Sequence, residues 1–152
     1  MGQTTEEKFN ALKNQTGQVD DNKVAEVFDE AKPVTPDQLT GSWVGGSFDT
    51  GHPAHKKLGE VKWAGKDFRS AEDVDPMVVY GENGERVWAE NYGRARLREV
   101  KFRGVVSTAM VYDNLPIIDS FRHVKDGVVI GAMDSKLLPK KAGTYYFYLS
   151  KL

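Results

Sequence analysis

The spacing of apolar positions changes once along the chain, near Gln38. Before that point they recur at intervals of three and four. Phe9 and Leu12 form one short stripe, and Val24, Val27, Phe28 and Ala31 form a second. This spacing predicts two amphipathic helices. Thr4 and Glu7 stand at capping-box spacing ahead of the first, and the Thr16-Gly17 pair separates the two. Asp20 or Asp21 caps the second, and Pro33 ends it.

From Leu39 onward the apolar segments become short and alternating, which is the strand period. Strands are predicted at Gly41–Phe48, Val61–Arg69, Pro76–Tyr80, Arg86–Tyr92, Ala95–Phe102, Val105–Tyr112, Ile117–Val124, Val128–Met133 and Thr144–Ser150. Asn83-Gly84 and Asp126-Gly127 read as tight hairpin turns with both residues at positive φ. Gly104 reads as a bend or bulge, Pro53–Gly59 as a short helix, and Lys136–Gly143 as a loop. Many short strands joined by close turns predict a sandwich or a barrel. The near-meander order favours the barrel. The expected organisation is a helical segment over residues 1–37, acting as a lid or plug, followed by a β-barrel over 38–152.

Composition narrows the function classes. The 152 residues suffice for one domain with a real core. A net charge of −1 argues against a dedicated nucleic-acid binder. With no cysteine there is no disulfide framework, thiol nucleophile or thiolate metal site. No apolar run reaches membrane-span length, and the polar N-terminus lacks a signal core. A cytoplasmic protein is expected, with a small hydrophobic molecule as partner and a homodimer as an open alternative.

The most informative stretch is Leu39-Thr40-Gly41-Ser42-Trp43-Val44-Gly45-Gly46-Ser47-Phe48-Asp49-Thr50-Gly51-His52-Pro53. On a strand, Gly41, Trp43 and Gly45 share one face; the glycines clear space and the indole plugs the barrel end. This stretch resembles the signature of the GXWXG-motif family, which pairs the motif with a C-terminal domain of unknown function. The segments Trp63–Phe68, Arg103-Gly104, Met110–Asp113, Pro116–Arg122, Gly131–Asp134 and Tyr145–Leu149 resemble landmarks of that pairing. The resemblance spans roughly Val24 to Leu152. It implies an all-β, antiparallel, calycin-like barrel similar to lipocalins and fatty-acid-binding proteins, here with one or two N-terminal helices. It implies no reaction.

Candidate chemistry is scattered rather than concentrated in a motif. Asp49 and His52 share a Gly/Pro-rich turn, where they read as an acid–base pair or as a turn and a helix cap. Lys66 shares a strand face with Phe68; if Phe68 points inward, the lysine does too and can meet Asp119. Asp119 likewise shares a face with Phe121. A buried carboxylate there needs a hydrogen-bond partner or a proton, which Tyr112, Lys66 or His52 could supply. Asp119, His52, Tyr112 and Lys66 are therefore the candidate catalytic groups. Trp43, Asp49, Trp63, Met110, Phe121, Met133 and Tyr146 are candidate ligand-binding residues. Arg98 joins them as an inward arginine able to grip a carboxylate. Arg122 is expected outside the barrel or against Trp43. His52, His55 and His123 lack any ligand spacing, so no metal is expected, and no cofactor loop is present. Two functions follow as expectations. One is binding of a small apolar or amphipathic molecule (fatty acid, terpenoid, polyketide or tetrapyrrole) in the barrel. The alternative is cofactor-free cyclisation or isomerisation of such a molecule by acid–base catalysis.

Overall fold

The computed structural model describes residues 2–152. Thr4 caps α1 (Thr5–Lys13) in the expected box with Glu7, and Asp20 caps α2 (Asp21–Glu30). A two-residue strand β1 (Lys32–Pro33) and a one-turn helix α3 (Pro36–Leu39) lead into β2 (Gly41–Ser47). Helix α4 (Pro53–Glu60) follows, then β3 (Trp63–Ser70), β4 (Asp73–Tyr80), β5 (Arg86–Trp88), β6 (Ala95–Phe102), β7 (Val105–Tyr112), β8 (Ile117–Lys125), β9 (Val128–Ser135) and β10 (Tyr145–Lys151).

Eight strands close into an antiparallel ring, in the order β2, β3, β4, β6, β7, β8, β9, β10 and back to β2. Closure removes the free edges of an open sheet. The weakest seam is β4–β6, where Val74 opposite Ala95 is the one ladder pair. Beside it Leu97 N–H donates to Ala71 O at 2.7 Å. The short β5 covers the far half of β4 instead.

Two apolar clusters sit on either side of the wall. The inner one holds Trp43, Phe68, Leu97, Met110, Phe121, Tyr145, Phe147 and Leu149 among others. The outer one joins Phe9, Leu12, Val24, Val27 and Phe28 of the two leading helices to Phe48, Val128, Ile130, Ala132 and Tyr146. Helices α1 and α2 therefore buttress the outside of the wall. The mouth position expected of them is taken by α4, whose Ala54 and Leu58 pack on the inner cluster.

The ends of the barrel differ. At one end are the two-residue turns Arg103-Gly104 and Asp126-Gly127, with the Trp43 indole buried there and donating to Leu39 O at 2.8 Å. The longer connections, including α4 and the 136–144 segment, gather at the other end. Gly45 explains part of the motif. A Cβ there would lie 2.6 Å from the Trp63 ring, so the glycine is the seat of that indole. Gly65, at φ +146°, brings the chain against Trp43 O so closely that a Cβ would overlap it.

Several expectations change. Arg103 and Gly104 both take positive φ, so the primed turn lies there; at Asn83-Gly84 and Asp126-Gly127 only the glycine does. The Asp126-Gly127 hairpin adjusts by a register shift between His123 and Lys125. Strand β4 begins at Asp73, because Arg69 and Arg94 pair with Asp73 and Asp75 and keep these poor strand formers in place. The strand expected over 86–92 stops at Trp88, where a 3₁₀ turn over Glu90–Tyr92 ends at left-handed Gly93.

Candidate functional site

Strands β3 and β8 lie opposite each other in the ring, four steps apart in either direction. Lys66 extends inward from β3 and Asp119 inward from β8. They meet in the interior, with Nζ 3.2 Å from Oδ2 and side-chain exposures of 3% and 2%. The pair is a strut across the barrel. Lys66 Nζ also donates to Pro76 O at 2.9 Å. The rings of Phe147, Trp63 and Tyr112 stand 5.2, 5.6 and 6.0 Å from it, which suits a partly desolvated cation.

The strut is incompletely satisfied. Asp119 Oδ1 is buried and has no hydrogen-bond partner, alone in this among the side chains of the described residues. Burial pushes the Asp119 carboxyl upward, against the opposing pull of Lys66. Burial pushes Lys66 downward, against Asp119. Tyr112 is held well above the ordinary phenol range, first by burial and then by the Asp119 charge.

Above the strut, under α4, lies an apolar cavity of about 160 Å³. Leu58, Met77, Tyr92, Tyr112, Ile117 and Met133 contribute to its wall. Met133 is the register partner of Asp119, so the cavity floor and the carboxylate are neighbours. Met110, the partner on the other side, and Phe121 are fully buried beside it.

His52 is buried at the N-cap of α4, where Nδ1 accepts from Ala54 N–H at 3.0 Å. Burial holds its imidazole below the usual range. Its ring packs 5.4 Å from that of Tyr145. Asp49 caps its own turn through Gly51 N–H, and its other oxygen lies 3.9 Å from His55 Nε2, not against His52. His55 also meets Ser47, whose Oγ is 2.6 Å from Nδ1 and 2.5 Å from the Tyr145 hydroxyl. Sequence reasoning weighed His55 as a metal ligand and passed over Ser47. The available signal was position. Ser47 ends the motif strand on the inward-facing register of Trp43 and Gly45, and His55 lies one turn into the helix that follows.

Other candidates fall elsewhere. Trp63 packs inward on Phe147 and Lys66, because register shifts on both sides of Gly65 break the alternation that would have put it with Asp67. Trp43 plugs the closed end, away from the cavity. Arg98 points outward and pairs with Glu72 at 2.9 Å, since Leu97 occupies the inward register. Tyr146 also faces out. Its ring packs near Phe28 of α2 and its hydroxyl accepts from Arg103 at 2.5 Å. Tyr145 and Phe147 are the inward members of that run. Arg122 lies outside, buried beneath α2. His123 pairs with Asp126 at 3.8 Å, near the closed end. Among the described residues no group of three His, Asp or Glu side chains converges as a metal site, and no helix is long and apolar enough to cross a membrane.

Comparison with known proteins agrees with this architecture. Residues 26–84 match the model described as GXWXG protein, and residues 93–151 match a domain of unknown function, DUF4334. The first segment contributes β1 to β4 and the second β6 to β10, so each is part of one ring, and the Lys66–Asp119 strut joins them. No curated protein matches the chain. A crystal structure of a protein from Thermomonospora curvata is similar, with a TM-score of 0.89 at 38% identity, covering 97% of this chain and 98% of that one. The chain belongs to the family that joins a GXWXG segment to a DUF4334 segment.

Proposed function

We propose that the barrel binds one small amphipathic molecule, its apolar body in the cavity beneath α4 and a hydrogen-bond donor directed at Asp119. The observation that carries this reading is the orphaned Asp119 Oδ1 next to an apolar cavity wall. An unpaired buried acceptor costs about 1–3 kcal/mol, more when charged, and a ligand donor would recover that. A few polar groups in an apolar concavity are the usual anatomy of a ligand site. A calycin-like assignment accords with the closed antiparallel ring of eight strands and its aromatic interior.

The cavity favours the small end of the expected ligands. A cavity of roughly 150 Å³ holds a molecule of benzene size. A fatty acid or tetrapyrrole would require α4 and the aromatic filling to move, whereas a small terpenoid or a short oxygenated ring fits more nearly.

Catalysis is the second reading, favoured by the buried 3.2 Å contact of Asp119 and Lys66, whose proton affinities burial pushes toward each other. Asp119 would take or give a proton on a folded substrate, and Tyr112 or Lys66 would donate, as a cofactor-free cyclase or isomerase needs.

The test is native mass spectrometry of purified protein, followed by extraction of what co-purifies. A stoichiometric small molecule, weakened by Asp119→Leu, is expected. A clean apo mass, together with no binding of small oxygenated terpenoids by calorimetry, overturns the binding reading. If Asp119→Asn retains the molecule but no longer converts it, the reading becomes catalytic.

A further inference from the structure

A second polar array reaches the interior from the rim. Ser47 ends β2, His55 sits in the first turn of α4, and Tyr145 opens β10. His55 is partly open to solvent, with 38% of its side chain exposed, whereas Tyr145 is 2% exposed within the inner cluster. Ser47 Oγ bridges them at 2.6 and 2.5 Å. Tyr145 is the register partner of Met133, which is in turn that of Asp119. The array therefore runs from solvent into the inner cluster, where Tyr145 stands beside Met133 of the cavity wall.

Donor arithmetic gives this array a direction. A hydroxyl donates one hydrogen, and neutral imidazole has one donor and one acceptor nitrogen. With Nδ1 unprotonated, Ser47 O–H donates to His55. Ser47 Oγ then accepts from Tyr145 O–H, and Tyr145 is left with lone pairs alone for the interior. With His55 charged, Nδ1–H donates to Ser47, Ser47 O–H donates to Tyr145, and the phenolic hydrogen is free to face inward. The charged state has a partner in Asp49, 3.9 Å from Nε2. Histidine is the side chain suited to change charge near neutrality.

We propose that His55, Ser47 and Tyr145 form a proton relay that makes Tyr145 a hydrogen-bond acceptor or donor toward an oxygen atom of a bound molecule, according to the charge on His55. This rests on the reading of the interior as a ligand site. A full transfer balances: Tyr145 O–H breaks as the ligand O–H forms, Ser47 passes its hydrogen to Tyr145, and His55 Nδ1 passes its own to Ser47. The imidazole ends neutral and recovers a proton from solvent. The substrate class is a molecule whose carbonyl or hydroxyl oxygen gains a proton. Asp49 on the preceding turn, Tyr145 on β10, the His52 ring against Tyr145, the exposed Lys56 beside His55, and Asp119 on β8 and Tyr148 on β10, whose charges act on Tyr145, are ionisable groups around the relay. Tyr145 acts at the ligand, and His55 is a positioning residue that acts through Ser47.

The test is NMR of the ligand-free full chain, labelled at histidine nitrogens and tyrosine Cζ, with Tyr145→Phe and His55→Gln used for assignment. Neutral His55 is expected to carry its hydrogen on Nε2. The Tyr145 Cζ signal is expected to move with pH at the midpoint of the His55 ring, while that of Tyr80, an exposed tyrosine away from the relay, does not. In Ser47→Ala the Tyr145 response should vanish while His55 still titrates; in Ser47→Thr, which keeps a hydroxyl, it should persist. A neutral His55 with its hydrogen on Nδ1, or a Tyr145 signal indifferent to His55 in the unmodified protein, overturns the relay. Both measurements need no ligand, so the relay and the binding reading fail separately.

Discussion

Strand β8 carries two buried charges three residues apart, and the barrel treats them in opposite ways. Asp119 faces in and Arg122 faces out, with exposures of 2% and 1%. Arg122 lies against the end of α2. Its Nη1 donates toward the carbonyls of Phe28, Ala31 and Asp29 at 3.1, 3.3 and 3.4 Å, and Nη2 reaches Phe102 O at 3.4 Å. The guanidinium stacks 4.5 Å from the Phe28 ring. These are the orphan carbonyls and the negative pole of a helix C-terminus, met by a fixed cation. Asp119 has one lysine and one empty acceptor. The difference teaches where to look for function. A buried charge whose hydrogen-bonding capacity is well used holds elements together, and one left partly unused is poised for something else.

The sharpest way to break that comparison is Arg122→Met. It removes the donors that hold α2 against β8 and leaves their carbonyls under cover. We expect a loss of about 3–4 kcal/mol, since each buried group stranded without a partner costs roughly 1–3. For a chain of this size that is a fall in Tm of about 10 °C. Urea and thermal unfolding measure it, and hydrogen exchange should show α1 and α2 loosening before the barrel. A variant that unfolds like the parent, with α2 protection intact, would mean the carbonyls find other donors.

The strut should respond as a pair. Lys66→Met leaves a carboxylate in the dry interior, and Asp119→Leu leaves an ammonium; each is expected to cost about 3 kcal/mol. The double variant should return most of that loss, because replacing both charges by apolar groups is often neutral or better. A double-mutant cycle in urea gives the coupling. Additive losses would remove the strut from the account of the fold. The sign of the pH effect follows from the upward push on Asp119. A raised acid binds its proton more tightly in the folded state, so its contribution is fully present below the ordinary carboxylate range and is lost as pH rises through the raised value. The parent should therefore gain on Asp119→Asn as pH is lowered toward 4, and fall behind it as pH is raised.

How much of this was legible depends on which contacts a periodic pattern can report. Alternation tied Lys66 to Phe68 and Asp119 to Phe121 but left open which face was inside; the structure puts both phenylalanines, and with them both charges, in the barrel. It does not hold through Trp63, which turns inward although Asp67 on the same register faces out, because the shifts around Gly65 accompany the approach of Trp43 O, a contact from another strand. It failed at Arg98 for a simpler reason: Arg98 shares its face with the apolar Val100 and Phe102, but these lie at a strand end and are only partly buried, while Leu97 holds the inward register. The helices were found by period and caps, yet their docking site was not, since an apolar stripe says that a helix is covered and not by what. The relay was invisible for a related reason. Ser47 and Tyr145 are 98 residues apart, and only closure of the ring brings β10 beside β2.

His52 offers a smaller test of the same contrast. Its burial is partly repaid by the cap it gives α4, and its imidazole sits below the ordinary value of about 6.5. A depressed base contributes stability above its unfolded value, which is lost as pH falls through the folded one. Between about pH 6.5 and 5 the parent should lose stability that His52→Asn retains. Asparagine keeps the cap without the charge, so comparing the two proteins across a pH series separates capping from titration, the parent falling further below His52→Asn as pH drops. Parallel acid limbs would show that protonated His52 finds a partner.

Arg98→Ala should do least. The arginine is half-exposed, its Glu72 partner more so, and the pair lies in water at the seam end of β6. Exposed pairs contribute about 0–1 kcal/mol, and salt screens them. We expect a change below about 0.5 kcal/mol, and no change in the retention of any co-purified molecule. The value of so small an effect lies in the contrast among three strand charges. One is satisfied and buried, one is buried and unsatisfied, and one is solvated. If retention of the molecule falls in Arg98→Ala as it does in Asp119→Leu, the ligand contacts the outer face of β6, and the interior loses its claim to be the site.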